Sequence, residues 1–172
     1  FAGGVRLMGR FNVANAALAQ TMLIVAGVDA ERAADCIERC RGVPGRMERI
    51  GDATEGIALV VDYAHTADAL ARALDAVRPH GGGRVIVVFG CGGDRDAGKR
   101  QLMGAAAVEA ADIVIVTDDN PRSENPAAIR AAILEAAPGA IEIAGRGAAI
   151  REAVAMLGPG DVLVVAGKGH ET

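Results

Sequence analysis

Aromatic residues are almost missing from this chain: Trp is absent, Tyr occurs once and Phe three times in 172 residues. Any core must therefore be built from small and branched aliphatic side chains, and a nucleic-acid surface of rings set between basic residues has no material. Positive charge is not in surplus either. The 18 Lys and Arg are outnumbered by 22 Asp and Glu, for a formal charge of −4, so nucleic acid is not an expected partner. Apolar runs fall well short of the roughly 20 residues that cross a bilayer, and no basic stretch followed by an apolar one marks a signal peptide. No membrane partner and a cytoplasmic location are the expectation. Cysteine is scarce and odd in number, at three, which fits a reducing compartment better than a disulfide framework. Cys36 and Cys40 stand four apart on an expected helix, but no His or second Cys pair lies at ligand spacing, so no metal site is expected.

What is abundant is Gly, at 23 residues, within a chain that is 51% apolar. That mixture suits helices packed closely on a sheet with many tight turns. Residues 12–27 read as a helix with Asn12 as its cap and Gly27 as its stop, and Asp29 opens a second helix running to about Cys40. The breaker run Arg41-Gly42-Val43-Pro44-Gly45-Arg46 then sets an expected boundary, giving regions 1–42 and 43–172. Beyond it, apolar runs at Ile57–Val61, Val85–Phe89, Ile113–Val116, Ile141–Ala144 and Val162–Ala166 alternate with amphipathic stretches at 67–78, 98–110, 126–137 and 147–157. Strands that are apolar on both faces and separated by helices predict a Rossmann-like α/β fold, a mostly parallel sheet with helices on both faces. Met47–Gly51 adds a short antiparallel strand to the expectation.

Right-handed crossovers bring the carboxyl ends of parallel strands to one edge, where ligands of such sheets bind. The expected strands end in Asp62-Tyr63-Ala64-His65-Thr66, Gly90-Cys91-Gly92-Gly93-Asp94-Arg95-Asp96, Asp118-Asp119-Asn120-Pro121-Arg122, Gly145-Arg146-Gly147 and Gly167-Lys168-Gly169-His170-Glu171. All are charged or glycine-rich, which marks a binding edge. The cluster at 118–122 is suited to a small, multiply charged molecule: acids for an ammonium, an amide that donates and accepts, and a guanidinium that grips a carboxylate with paired hydrogen bonds. The run Gly93-Asp94-Arg95-Asp96-Ala97-Gly98-Lys99-Arg100 is one residue from a P-loop, but Arg100 stands where a Ser or Thr must reach magnesium, and Asp94 and Asp96 would repel phosphate. Arg95 likewise replaces the last glycine of a dinucleotide fingerprint. The loop is better read as presenting Arg95.

Gly9-Arg10-Phe11-Asn12-Val13-Ala14-Asn15, Gly45-Arg46-Met47-Glu48, Asp62-Tyr63-Ala64-His65-Thr66 and Gly167-Lys168-Gly169-His170-Glu171, in this order, resemble the Mur ligases of peptidoglycan synthesis. Asp119-Asn120-Pro121-Arg122 is similar to the signature of the members that add meso-diaminopimelate. The resemblance implies a three-domain, ATP-dependent ligase, with 1–42 as the end of a central ATP-binding domain and 43–172 as a truncated C-terminal amino-acid-binding domain. ATP would phosphorylate the D-glutamate carboxylate of UDP-MurNAc-L-Ala-D-Glu, and an amine of diaminopimelate would attack the acyl phosphate. It further implies diaminopimelate contacts at Arg95, Asp119, Asn120, Pro121, Arg122, Gly167 and Glu171, nucleotide contacts at Asn12, Asn15, Arg46 and Asp62, and Mg2+ held by residues outside this chain. Such a chain is expected to be a monomer and, by itself, not to form the tripeptide.

Several readings stay open at this level. A sister ligase adding L-lysine lacks a use for an arginine in the 119–122 cluster, since lysine has no distal carboxylate. A non-catalytic small-molecule-binding α/β domain would keep the same loops. His65 and His170 are candidate bases for the attacking amine, although orienting or packing roles serve them equally. Arg122, Asp119 and Asn120 are also ordinary turn and surface residues before a helix. Lys99, Lys168 and Arg146 reach the same edge without a definite role.

Overall fold

The computed structural model describes residues 8–51, 58–80 and 82–169. Contacts divide the chain into two compact units, residues 1–43 and 44–172. The first contains two helices, α1 (Arg10–Val25) and α2 (Ala30–Glu38). Gly9, not Asn12, precedes the first turn of α1; Asn12 lies inside the helix and its side-chain amide donates back to the Met8 carbonyl at 2.7 Å. Asp29 does cap α2, its carboxylate accepting from the N–H groups of Glu31 and Arg32.

The second unit contains β1 (Glu48–Ile50), β2 (Ala58–Asp62), α3 (Ala67–Val77), β3 (Val85–Phe89), α4 (Gly98–Ala110), β4 (Ile113–Val116), α5 (Pro126–Leu134), β5 (Ile141–Glu142), α6 (Arg146–Ala155) and β6 (Val162–Ala166). The strands form one sheet in the order β1-β2-β6-β3-β4-β5. β1 runs antiparallel to β2, and every other pairing is parallel. The chain steps outward from β2 through β3 and β4 to β5, then returns to insert β6 between β2 and β3. With right-handed crossovers, the outward steps put α3, α4 and α5 on one face and the return step puts α6 on the other. This is the mostly parallel, doubly covered α/β sheet that the alternation of runs predicts.

Register explains why both faces are apolar. Ile86, Val88, Ile115 and Leu163 point to the α6 side and pack with Ala149 and Ala153, all essentially without exposure. The alternate residues Val85, Val87, Phe89, Val116 and Val164 are equally buried and face the α3–α5 layer, which contributes Leu70, Leu74, Met103 and Ile133. Truncating one of the large side chains here to Ala should cost about 3 kcal/mol. The edge strand is shorter than its apolar run: only Ile141 and Glu142 pair with β4, and Ile141 is 37% exposed. Ile57, the expected first residue of β2, lies outside the described residues.

Candidate functional site

Parallel strands end together, so the loops after β2, β3, β4 and β6 meet at one edge. A cavity of about 370 Å³ opens there, lined by Tyr63 and His65 after β2, Gly92, Arg95, Asp96 and Lys99 after β3, Asp119 and Arg122 after β4, and Gly167 after β6. Of the residues singled out for an amino-acid ligand, Arg95, Asp119, Arg122 and Gly167 therefore share one cavity. Asn120 and Pro121 belong to the same loop but serve its backbone. The Asn120 side chain accepts from the Arg122 N–H at 3.2 Å, its carbonyl accepts from Gly93 N–H at 2.9 Å, and the Pro121 carbonyl accepts from Glu124 N–H at 3.0 Å. Glu171 and His170 lie outside the described residues.

The glycines after β3 have a purpose that has nothing to do with phosphate. A side chain at Gly90 would fall on the Thr117 carbonyl, and one at Gly93 on the Pro121 carbonyl. The loops after β3 and β4 are thus in backbone contact, and only glycine permits that approach. The Arg122 guanidinium crosses the same seam, donating from Nη1 to the Gly93 carbonyl at 2.6 Å. One corner of its fork is fixed on the backbone, which orients the rest toward the cavity. Arg122 and Asp94 both adopt left-handed backbone conformations, with φ of 50° and 52°. Each costs an L-residue about 1–2 kcal/mol that the surrounding bonds must hold in place.

Those bonds come from side chains that the sequence reading did not single out. The Asp94 carboxylate accepts from the Ser123 N–H at 3.0 Å and from its hydroxyl at 2.8 Å, and these bonds hold the Asp94 carboxyl below the usual carboxylate range. Glu124 accepts from the Asp94 N–H at 2.6 Å and from Arg100 Nη2 at 2.7 and 2.9 Å. The Arg100 guanidinium is the main cause that lowers the Glu124 pKa. Arg100, in the P-loop hydroxyl position, is thus a buried partner for an acid on the next loop, its side chain 8% exposed. An arginine breaking a near-match motif was the available signal for this pair.

The two adjacent acids after β4 divide their tasks. Asp118 pairs with Arg130 and accepts from the Gly145 N–H at 2.8 Å, while Arg130 also reaches Glu142 at 2.7 Å. This ties the β4, α5 and β5 ends together. Asp119 turns to the cavity, with one oxygen accepting from Asn120 N–H at 2.8 Å. Arg146, at the start of α6, donates to the Ala166 carbonyl at 2.6 Å. Burial lowers its pKa, and the charge of Asp119 opposes that shift. Just after β3, the buried Cys91 sits 3.7 Å from the Met103 sulfur, and burial pushes its thiol up to about 11.

The residues proposed for a nucleotide are arranged differently. The Asp62 carboxylate accepts from Met47 N–H at 2.8 Å and Ala64 N–H at 2.7 Å, which fixes the approach to β1 against the end of β2. Arg46 lies over the Tyr63 ring, 4.5 Å from its centroid, a cation–π contact. The Tyr63 ring meets His65 edge-on, while His65 Nδ1 is 3.0 Å from the Tyr63 carbonyl and Lys99 donates to the His65 carbonyl at 3.2 Å. Asn12 and Asn15 share a face of α1 in the first unit, with Asn15 donating to Asn12 at 3.4 Å. Among the described residues no three His, Cys, Asp or Glu side chains meet as a metal site, and no helix is long and apolar enough to cross a membrane.

Residues 45–169 match the family profile described as Mur ligase, glutamate ligase domain. Over 165 residues the chain is 58% identical to the UDP-N-acetylmuramoyl-L-alanyl-D-glutamate--2,6-diaminopimelate ligase of Caulobacter vibrioides, covering 96% of this chain and 34% of that protein. The protein of the same description from Chelativorans sp. gives the same identity and coverage. A solved structure of a ligase so described superposes with a TM-score of 0.73 at 43% identity, over 99% of this chain and 36% of the other. The bifunctional folylpolyglutamate synthase/dihydrofolate synthase of Yersinia pestis superposes at 0.76 with 21% identity, which is a likeness of fold alone. The chain spans about a third of the length of the curated relatives it matches.

Proposed function

Because the chain belongs to the Mur ligase family, we propose that it forms the amino-acid-binding part of an ATP-dependent ligase adding meso-diaminopimelate to UDP-MurNAc-L-Ala-D-Glu. Residues 43–172 are the acceptor-binding domain in this reading, and 1–42 are the end of an ATP-binding domain. The reaction is supported by the activity for which these relatives are named. The observation that carries the assignment to this edge is the joining of Arg95, Arg122 and Asp119 in one cavity. Diaminopimelate has two carboxylates and two amines, and that cavity offers guanidinium and carboxylate groups to match.

ATP transfers its terminal phosphoryl group to the D-glutamate side-chain carboxylate. The attacking amine of diaminopimelate bonds to that carbon, inorganic phosphate leaves, and the amine gives up a proton. The groups on this chain act by holding the acceptor. Arg122, anchored on the Gly93 carbonyl, grips the distal carboxylate, Arg95 supports a carboxylate from the facing loop, and Asp119 holds the non-reacting ammonium. Asn120 and Pro121 keep the loop shape, Gly167 lets β6 end close to Asp119, and Glu171 belongs to the same acceptor set. Arg46 and Asp62 on the second unit are nucleotide contacts in this reading, as are Asn12 and Asn15 on the first. A divalent cation accompanying ATP takes its protein ligands from outside the described residues. The catalysis this edge can supply is positioning and charge neutralisation, which is what phosphoryl and acyl transfer chiefly require. The enzyme is expected to act in the cytoplasm as a monomer.

Turnover by the full-length enzyme with diaminopimelate or L-lysine tests this reading. Lysine leaves an arginine unpaired, so preference for diaminopimelate is expected on the order of 10⁴-fold in a closed, water-free site. Equal use of the two acceptors would contradict it.

A further inference from the structure

The acceptor site rests on two loops that no strand pairing joins beyond Phe89 and Val116. Arg95 extends from one and Arg122 from the other, so the distance between them is set by whatever locks the loops together. Backbone contact at Gly93 brings the loops close but does not fix rotation about the seam. A four-residue clamp beside the cavity does. Glu124 bonds at once to Arg100 at the first turn of α4 and to the Asp94 backbone, and Asp94 bonds to the backbone and hydroxyl of Ser123. Each of the two ligand-facing arginines has a clamp residue as its chain neighbour: Asp94 precedes Arg95, and Ser123 follows Arg122. Of the two left-handed residues on this seam, Asp94 is in the clamp and Arg122 is flanked by it.

Resting on the function proposed above, we infer that Arg100 and Glu124 are positioning residues that set the spacing of Arg95 and Arg122, and so the enzyme's selection among amino-acid acceptors. Neither lines the cavity. Arg100 has one strong partner in Glu124, and its side chain is almost fully enclosed. Removing the Glu124 charge leaves the buried Arg100 guanidinium unpaired, and removing Arg100 leaves the half-exposed Glu124 only its bond from the Asp94 N–H. In both cases the loops relax until water or a different partner is found. A displacement of that size acts on a ligand held at both ends while leaving a nucleotide site elsewhere in place.

The test is steady-state kinetics of the full-length enzyme with diaminopimelate, L-lysine and ATP varied in turn. Glu124→Gln should raise KM for diaminopimelate about tenfold, narrow the preference over lysine, and hold KM for ATP within about twofold. Arg100→Met should do the same, Arg100→Lys should recover part of the loss, and the double variant Arg100→Met/Glu124→Leu should be no worse than either single change. If Glu124→Gln does not fold, Ser123→Ala, at an exposed residue, asks the same question with about a threefold effect expected. An unchanged KM for diaminopimelate, or parallel rises for diaminopimelate and ATP, would overturn the inference. Failure of the wild-type enzyme to use diaminopimelate would overturn the functional reading instead, and the clamp would then be scored on the acceptor it does use. Use of no acceptor would overturn both.

Discussion

At the amino edge of the sheet, Asp161 accepts from the Arg84 N–H at 2.7 Å, from the Arg84 guanidinium at 2.6 and 3.1 Å and from Gly158 N–H at 2.9 Å. Nearby, Asp112 accepts from Val85 N–H at 2.7 Å and from Arg78 at 3.3 Å. At the carboxyl edge, Asp119, Arg95 and Arg122 line an open cavity, and the hydrogen bonds there hold backbone more than they pair charges. The same residue types thus do opposite work. One edge saturates its acids and stabilises the end of a strand; the other pairs Glu124 with Arg100 and Asp118 with Arg130 around the cavity while Asp119, Arg95 and Arg122 face it, at the cost of left-handed backbone. A second cavity, about 280 Å³, lies at the amino edge between the starts of β4 and β5. It is the smaller of the two, and its one ionised side chain, Asp112, is already engaged by Val85 and Arg78, so volume and charge both favour the carboxyl edge.

Perturbing each edge separately should break this comparison if it is wrong. The largest effect is expected from Gly93→Ala, whose methyl group would fall on the Pro121 carbonyl and force the two carboxyl-edge loops apart. Acceptor kcat/KM should fall about a hundredfold in the full-length enzyme, with a much smaller change in melting temperature. Asp161→Asn should do the reverse. Chemical denaturation should show a loss of about 2 kcal/mol while KM for the acceptor stays put.

Acid sharpens the second case. Arg84, with backbone donors behind it, holds the folded Asp161 carboxyl down at about 2, below the ordinary 3.8. A lowered folded pKa means the stability it supplies is complete above the ordinary value and is lost as pH falls through the folded one. Denaturation curves should therefore show wild-type stability falling between those two values, with a flatter profile for Asp161→Asn. The smallest effect concerns Cys91. Burial keeps it a thiol far above neutrality, so alkylation of native protein at neutral pH should label exposed Cys36 and Cys40 and spare Cys91. Rapid labelling of Cys91 would mean that the loop after β3 opens.

The fold was legible in the sequence because β3 and β6 are buried on both faces, which leaves uninterrupted apolar runs, and because the runs alternate with helical stretches, two of which open on the side-chain caps Thr66 and Asn125. The edge strand was overestimated because the apolar run continues through Ile143 and Ala144, whereas strand pairing stops at Glu142 with one last bond from the Ile143 N–H to the Val116 carbonyl at 3.0 Å. That Arg95, Asp119 and Arg122 would share one cavity was legible too, since they fall in the loops after strand ends. The division of work within it was not. Asp118 and Asp119 are the same residue type one position apart, and only the arrival of Arg130 and Gly145 from later in the chain separates them. Arg100 and Glu124 are 24 residues apart, and a list of charges does not say which pairs meet. The left-handed turn at Arg122 follows from that closure.

The most direct test of the contrast between the edges is to measure acceptor KM and melting temperature together on full-length Arg122→Ala. The predicted result is a rise of about a hundredfold in KM for diaminopimelate, with KM for ATP nearly unchanged and melting within a few degrees of wild type. An enzyme that melts early and loses both substrates together would contradict the account, because Arg122 would then belong with Asp161 among the residues that hold the sheet.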